Sequence, residues 1–223
     1  QPMICSYCKK EIKNKYIASG NTIYHPECYI KANNLYCCIC QEPISSSYFK
    51  DYWGNKAHSH HTIKYCDSCG RIISQGSSKS GFKHNDNRRI CGICHETAIK
   101  TPAQTEQSKK TVTKLLARAG FKGLNMDIPI TLVNSKQMAN LSTRSNTAEG
   151  LIKARFKCRK MKEVLSLNIY ILYALPKIRF EGILAHEMLH AWGYLNKTNI
   201  DDLEEGFCNI GVSLVYKDYK PDT

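Results

Sequence analysis

The chain has 223 residues, twelve of them cysteines, and a formal net charge of +13 at neutral pH. This length allows one medium domain or several small ones. No stretch approaches the roughly 18 apolar residues of a membrane-spanning helix, so no membrane span is expected. The lysines are scattered rather than gathered in one tract, and charge alone therefore does not predict a nucleic-acid-binding protein.

The first residue, Gln1, leaves the compartment open. A cleaved signal peptide would precede such a start in an exported protein, and a shortened sequence would fit a cytoplasmic one. We therefore expect either a cytoplasmic or an exported protein and predict neither.

Ten of the twelve cysteines lie in the first 100 residues, and nine of these fit sets built from close C-x-x-C or H-x-x-C pairs. Such a pair forms a tight turn that presents two ligands to one metal ion, whereas disulfide frameworks rarely repeat this spacing. Small units without a large core need either disulfide bonds or bound metal ions to stay folded. Zinc is the first hypothesis, and disulfides or free thiols are the alternative.

Three successive sets of four predicted ligands follow this plan. They are Cys5, Cys8, His25 and Cys28; Cys37, Cys40, His58 and His61; and Cys66, Cys69, Cys91 and Cys94. Two close pairs are typical of a closed, tetrahedral structural zinc site, which stabilises folding and has no open position for catalysis. His60 competes with His61 in the second set, and Cys38 has the wrong spacing to pair with Cys40.

The first two sets resemble the two halves of a LIM domain, a paired zinc finger that binds other proteins. The resemblance implies protein partners for residues 1–62, where short alternating runs also predict small hairpins. Most LIM domains join the halves by two residues, whereas Tyr29 to Tyr36 insert eight. A four-cysteine module is predicted at residues 63–100, with a polar and basic loop from Ser74 to Arg89.

Residues 101–223 are predicted to form one α+β domain. Thr101 to Lys110 has the composition of a boundary, and apolar residues at helical spacing then predict a helix with Gly120 as its C-cap. Pro176 is expected in the first turn of a second helix, and a third helix is expected from about Asp202. Strands are predicted at 128–133, 151–156 and 164–172.

His186-Glu187-Met188-Leu189-His190 is an HExxH motif. On a helix, His186 and His190 lie one turn apart on one face and can bind one zinc ion, with Glu187 placed to take a proton from a metal-bound water. The alternative is an ordinary amphipathic helix with two histidines on its polar edge. The small and apolar residues before the motif indicate a buried helix and favour the catalytic interpretation.

A third ligand is expected in Glu204-Glu205-Gly206. Zincin peptidases often carry a glutamate ligand just before a glycine on the following helix, and this segment resembles that pattern at Glu205. Asn209 lies one turn beyond Glu205, where it could orient a ligand histidine, whereas the same step from Glu204 reaches Cys208. We predict Glu205, with Glu204 as the alternative.

The segments Ile183 to Trp192 and Glu204 to Cys208 together resemble the LIM-domain, ubiquitin-activated zinc peptidases that limit organ growth in plants and have bacterial relatives. Gly123 to Met126 and Ala174 to Pro176 also look like family positions. The resemblance covers nearly the whole chain. It implies a zincin-like fold, one catalytic and three structural zinc ions, and protein substrates.

The predicted function is therefore zinc-dependent hydrolysis of internal peptide bonds, with Glu187 as general base. An extended substrate is expected to pair with the edge of the strand at 164–172. Tyr194, Tyr216 and Tyr219 are candidates for stabilising the oxyanion, by residue type only.

Two other classes of function are weighed against this one. A LIM-type adaptor could keep the peptidase-like domain as a scaffold, but a scaffold has no need of the base Glu187. A nucleic-acid-binding zinc finger would need a shorter ligand spacing and a recognition helix, which none of the three modules has.

Overall fold

The computed structural model describes residues 2–124, 127–142, 148–157, 163–198 and 204–219; of Glu204 only the backbone is described. The chain divides into two compact units, Gln1–Ile93 and Cys94–Thr223, called here the N-terminal and C-terminal units. The division falls between Cys91 and Cys94 of the third ligand set. Among the described residues, none of the helices has the length and apolar character needed to cross a membrane.

The N-terminal unit consists of three small hairpins and short helices. Its elements are β1 (Ile17–Ser19), β2 (Thr22–Tyr24), α1 (Pro26–Ala32), β3 (Tyr48–Lys50), β4 (Lys56–His58), α2 (Gln75–Ser78), β5 (Gly81–Lys83) and β6 (Arg89–Cys91). Three antiparallel hairpins are formed, by β1 and β2, by β3 and β4, and by β5 and β6. The first two confirm the hairpins expected in the first 62 residues. The segment from Ser74 to Arg89, expected to be a loop, instead contains α2 and β5 and ends at the first residue of β6. The side chain of Ser74 caps α2, which the polar composition alone did not indicate.

Each ligand set begins with the same tight turn. Isolated bridges join Ile4 to Glu11, Tyr36 to Pro43 and Tyr65 to Ile72, always seven residues apart and always around a C-x-x-C pair. The residue after the second cysteine has positive φ in all three turns, at Lys9, Gln41 and Gly70. Of these three residues, only Gly70 is a glycine, which adopts positive φ without strain. The shared bridge and the shared positive φ make the three turns one structural repeat.

The buried carboxylate of Asp51 joins the second module to the third. It lies in the β3–β4 turn, is 8% exposed, and accepts hydrogen bonds from the backbone N–H groups of Trp53, Asn55 and Ile72 at 2.9, 3.0 and 2.8 Å. Burial opposes the charged form, but these N–H donors outweigh it, and the pKa of Asp51 is lowered. The Trp53 indole also donates to the carbonyl of Cys69, while the Arg71 guanidinium lies 4.3 Å from its ring centroid. The two modules are thus held together by polar contacts over a small apolar cluster.

The C-terminal unit is an α+β fold, as predicted. After α3 (Gly92–Glu96), its elements are α4 (Pro102–Arg118), β7 (Ile130–Val133), α5 (Ser135–Leu141), β8 (Gly150–Phe156), β9 (Val164–Leu172), α6 (Lys177–Leu195) and α7 (Glu204–Asp218). The sheet order is β7-β9-β8, with β7 parallel and β8 antiparallel to β9. The predicted strand at 164–172 is therefore central, and the expectation that its edge is free for a substrate is wrong. Among the described residues, β8 and β7 are the edge strands.

Two expectations about helix ends need correction. Thr101 to Lys110 is not an irregular boundary, because α4 begins at Pro102 with a reciprocal capping box between Thr101 and Gln104. Pro176 is the N-cap of α6 rather than its first turn. Gly120, with φ +100°, does follow the end of α4 as predicted. The start near Asp202 and the positions Asn125 and Met126 lie outside the described residues.

The HExxH helix α6 is the centre of the C-terminal core. Its apolar side packs on α4 and β9 through fully or almost fully buried side chains: Val112, Leu116, Ile169, Ile171, Leu184, Met188 and Leu189. Helix α7 approaches α6 closely at two glycines. A Cβ at Gly211 would lie 2.8 Å from the carbonyl oxygen of Ala185, and one at Gly182 would lie 3.2 Å from the ring of Tyr216. The two helices can approach this closely because neither position has a side chain.

Asp51→Asn is expected to lower the free energy of unfolding of the zinc-loaded protein by about 1–3 kcal/mol, because an amide cannot accept all the N–H groups that the carboxylate accepts. Urea unfolding measures the loss, and the amide of Ile72 should exchange faster with solvent. Asp67→Asn is the control, since Asp67 is exposed and, among the described residues, its carboxylate accepts from one group, the backbone N–H of Arg89. Equal effects of the two substitutions would refute the role given to Asp51.

Gly211→Ala is expected to destabilise the C-terminal unit by about 1–3 kcal/mol, because the new methyl group overlaps the backbone of Ala185. Gly206→Ala on the same helix meets no atom within 4 Å. It should therefore be neutral or stabilise by up to about 1 kcal/mol through helix propensity. Chemical denaturation of both variants makes the comparison, and a stable Gly211→Ala protein would contradict the close approach of α7 to α6.

Candidate metal centres

The structure brings together all twelve ligands of the three predicted structural sites. In each set one ligand atom per residue lies within 4.8 Å of the other three. Representative distances are 3.4 Å from Cys8 Sγ to His25 Nδ1, 3.4 Å from Cys40 Sγ to His58 Nδ1, and 3.8 Å from Cys69 Sγ to Cys91 Sγ. For zinc at about 2.3 Å from sulfur and 2.0–2.1 Å from nitrogen, a tetrahedron has edges of about 3.4–3.8 Å. The clusters have the dimensions of zinc sites.

Backbone groups prepare these ligands to bind metal. The Nε2–H of His25 donates to the carbonyl of Glu11, and that of His58 donates to the carbonyl of Pro43, both at 3.2 Å. Each of these hydrogen bonds places the ring proton on Nε2. The lone pair of Nδ1 then faces the sulfurs and is free to bind a metal ion. Burial opposes the thiolate at Cys37, but nearby backbone N–H groups, including that of Ile39 at 3.4 Å, lower the pKa of Cys37 to about 6.

In the second set the structure places His61, rather than His60, together with the other three predicted ligands. His61 Nε2 lies 3.4 Å from Cys40 Sγ, and His61 belongs to the cluster of four. The ring of His60 instead stacks on that of His58, with centroids 5.0 Å apart. Cys38 points into the apolar cluster with Ile44 and Ala57, and burial raises the pKa of its thiol. It is a core residue.

The HExxH residues and Glu205 converge at a fourth cluster between α6 and α7. His186 Nε2 and His190 Nε2 lie 3.1 Å apart. Glu205 Oε2 lies 3.3 Å from the first nitrogen, and Oε1 lies 3.8 Å from the second. The edge of a tetrahedron of nitrogen and oxygen ligands around zinc is about 3.3–3.4 Å, so these three side chains fit such an ion. The Glu205 side chain is 72% exposed, so this cluster reaches the surface at Glu205.

Asn209 holds His186 in the orientation that metal binding requires. Its Oδ1 accepts a hydrogen bond from Nδ1 of His186 at 3.1 Å, so the proton is on Nδ1 and Nε2 is free to bind. Burial, followed by the neighbouring His190, lowers the pKa of His186 and favours the neutral ring. Asn209 is one helical turn from Glu205, so α7 contributes both groups to the cluster.

Glu187 lies beside this cluster on the side that faces β8. Its side chain is 7% exposed, and burial together with the charge of Glu205 raises its pKa to about 8. The backbone N–H of Ile152 donates to it and partly offsets this rise. A Cβ at Gly150 would lie 2.9 Å from Glu187 Oε1 and 2.3 Å from Ile183. The glycine at the start of β8 therefore makes room for the carboxyl group.

Three residues near the cluster were not identified from the sequence. The buried Cys208 has its Sγ within 4.8 Å of one nitrogen of each histidine, and its position three residues after Glu205 could have indicated this. Gly150 and Ile152 belong to β8, which is far from the motif in the sequence, and no local pattern pointed to them.

The three tyrosines named by residue type are separated by the structure. The ring of Tyr194 stacks on that of His190 with centroids 6.3 Å apart. Tyr216 packs against Gly182, and Tyr219 lines a crevice with Glu181 and Val215 at the start of α6. Of the three, Tyr194 is the one beside a predicted ligand. The alternative ligand Glu204 has no described side chain.

Comparisons with known proteins cover most of the chain. The family model described as "DA1-like: Protein DA1" matches residues 77–217. Protein DA1 of Arabidopsis thaliana is 26% identical over 250 aligned positions, which cover 92% of this chain and 46% of that protein. The LIM domain-containing protein HDR3 of Oryza sativa is 22% identical, over 92% of this chain and 49% of that protein.

A second type of relative matches about half of the chain. Four and a half LIM domains protein 5 of Mus musculus is 27% identical over 120 positions, which cover 53% of this chain and 40% of that protein. The chain spans about half the length of the curated relatives it matches, and no solved structure matches it significantly. Because the family model covers more than half of the residues, including both helices of the fourth cluster, the chain belongs to the DA1-like family of LIM-domain-containing proteins.

Proposed function

We propose that the protein is a zinc-dependent endopeptidase of zincin-like fold, whose LIM-like modules at residues 1–62 bind other proteins. The observation that carries the proposal is the convergence of His186, His190 and Glu205 at zinc-ligand distances beside the buried carboxyl group of Glu187. Three ligands and one open side are typical of a catalytic zinc site, whereas the three clusters of four are typical of structural ones. Membership of the DA1-like family supports the same combination.

When bound by these three side chains, zinc would polarise the scissile carbonyl and lower the pKa of the attacking water. Glu187 accepts the proton of that water and returns it to the leaving amine. Its pKa of about 8 without a metal ion would fall beside a dication, because a positive charge favours the carboxylate. Asn209 keeps His186 in the binding tautomer throughout.

The substrate is proposed to pair with β8 rather than with β9. Leu172 N–H donates to the carbonyl of Glu149, so that residues 149, 151 and 153 direct their backbone groups to β9. Residues 150, 152 and 154 then direct theirs to the free edge, and the N–H of Ile152 already reaches Glu187. An extended peptide added at this edge would lie alongside the proposed base.

The alternative is a LIM-type adaptor whose C-terminal unit is a scaffold. The similarity of about half of the chain to a protein with four and a half LIM domains is consistent with protein binding in both proposals. A scaffold, however, does not require a carboxyl group buried against a glycine and held beside two histidines. The same geometry therefore favours the peptidase.

Metal analysis of the purified protein is expected to find close to four zinc ions per chain. Three should resist mild chelation, because their ligands form closed sets, and the fourth should be removed first. Inductively coupled plasma mass spectrometry before and after dialysis against a weak chelator measures both numbers. A count of one, or intact disulfides in the mass spectrum, would contradict the modular arrangement.

Glu187→Gln is expected to lower peptidase activity by at least ~10²–10⁴-fold, the range that general base catalysis contributes, while zinc content and melting temperature stay close to those of the wild type. The amide has nearly the shape of the carboxylate and is not proposed as a ligand. Mapping of cleavage sites in a proteome digest, wild type against variant, measures the difference. Equal cleavage by both proteins would exclude the mechanism.

Glu205→Gln separates metal binding from base catalysis. The neutral amide is a poor zinc ligand, so this variant should lose the labile zinc ion together with activity. Glu204→Gln is the matched control and should keep both. The reverse outcome would move the third ligand by one residue and leave the chemistry unchanged.

A further inference from the structure

An exposed aromatic side chain lies at the end of β8 nearest the last turns of α6. Phe156 is 39% exposed, and its ring meets the ring of Tyr194 edge to face, with centroids 5.8 Å apart. Tyr194 in turn stacks on His190. The exposed phenylalanine is therefore two ring contacts away from a predicted metal ligand.

Phe156 lies on the face of β8 that is turned toward α6. Side chains alternate along a strand, so residues 150, 152, 154 and 156 share one face. At one end of that face Gly150 abuts Ile183 and Glu187, and at the other Phe156 abuts Tyr194. The register with β9 shifts between Arg155 and Phe156, which pair with Ser166 and Val164, so the extra residue of this bulge lies on β9 and the alternation along β8 continues to Phe156. The strand and the helix thus run side by side from the base to the aromatic pair.

The position of Phe156 along β8 fixes how far this pair is from the chemistry. Phe156 is four residues beyond Ile152, whose N–H reaches Glu187, and this separation is about 13 Å along the strand. A peptide paired to the β8 edge advances by the same distance per residue. It would therefore bring one side chain, about four residues from the cleaved bond, against the two rings.

We propose that Phe156 and Tyr194 form an apolar subsite that selects a large apolar or aromatic side chain about four residues from the scissile bond, on one side of it only. The inference rests on the proposed peptidase function and on pairing at β8. An apolar occupant is expected because two rings offer contact area to an apolar or aromatic side chain, with aromatic pairs favouring the edge-to-face arrangement already seen here. A substrate with alanine at this position would leave the rings in water.

The test is cleavage of a library of unstructured peptides by the full chain loaded with zinc. Large apolar residues should be enriched roughly tenfold over alanine at one position about four residues from the cut. Phe156→Ala should flatten this enrichment, and Tyr194→Phe, which keeps the ring, should preserve it. Tyr219→Ala is the control, because Tyr219 is similarly exposed (44%) but lies at the opposite end of α6. Zinc content and melting temperature should be unchanged in all three variants.

A second measurement keeps the subsite testable apart from hydrolysis. Zinc-loaded Glu187→Gln protein, with and without Phe156→Ala, is bound to an array of the same peptides. Preference for large apolar residues that disappears with Phe156→Ala supports the subsite even without detectable cleavage, in which case only the proposed peptidase function fails. Cleavage or binding without this preference, or a preference that survives Phe156→Ala, would overturn the inference and leave the peptidase function intact.

Discussion

The close approach of α7 to α6 is the constraint on which the fourth cluster depends. An HExxH helix provides only two ligands, and both the third ligand candidate and the partner of His186 come from α7. Glu205 and Asn209 reach the histidines because Gly211 lets the α7 backbone lie against Ala185, immediately before the motif. The geometry of the site thus depends on the absence of a side chain at Gly211, which lies more than one helical turn from Glu205 along α7.

The two units use different sources of stability, and this difference assigns different tasks to their metal clusters. The apolar cluster of the N-terminal unit is small, so its cysteine and histidine sets have to contribute much of the folding free energy. The C-terminal unit has an extended core in which α6 is almost completely buried. We therefore expect that unit to fold without a metal ion at His186 and His190. Its ligands can retain an open side, which a structural site does not allow.

The sequence predicted the parts of the site that are local and missed those that are distant. The ligand pairs and the HExxH face follow from spacings of two and four residues, which fix geometry directly. The helix at Pro102 was missed because its first turns are polar, and only the capping box between Thr101 and Gln104 identifies its start. The central position of β9 and the place of Gly150 beside Glu187 depend on strand order, which no local pattern records. The fold class could be predicted, whereas the edge available to a substrate could not.

The electrostatics of the fourth cluster explain why its carboxyl groups and histidines belong together. Glu187 is buried, and the nearby charge of Glu205 makes its ionisation still less favourable, so its pKa is high. Burial, followed by the neighbouring His190, lowers the pKa of His186, so its ring favours the neutral form and does not compensate the carboxylates. A dication bound by His186, His190 and Glu205 would remove this conflict, since it offsets the charge of Glu205 and stabilises the carboxylate of Glu187. The same ion that would activate a water would then also ionise the base that takes its proton, so that the two halves of the proposed catalytic step are assembled together.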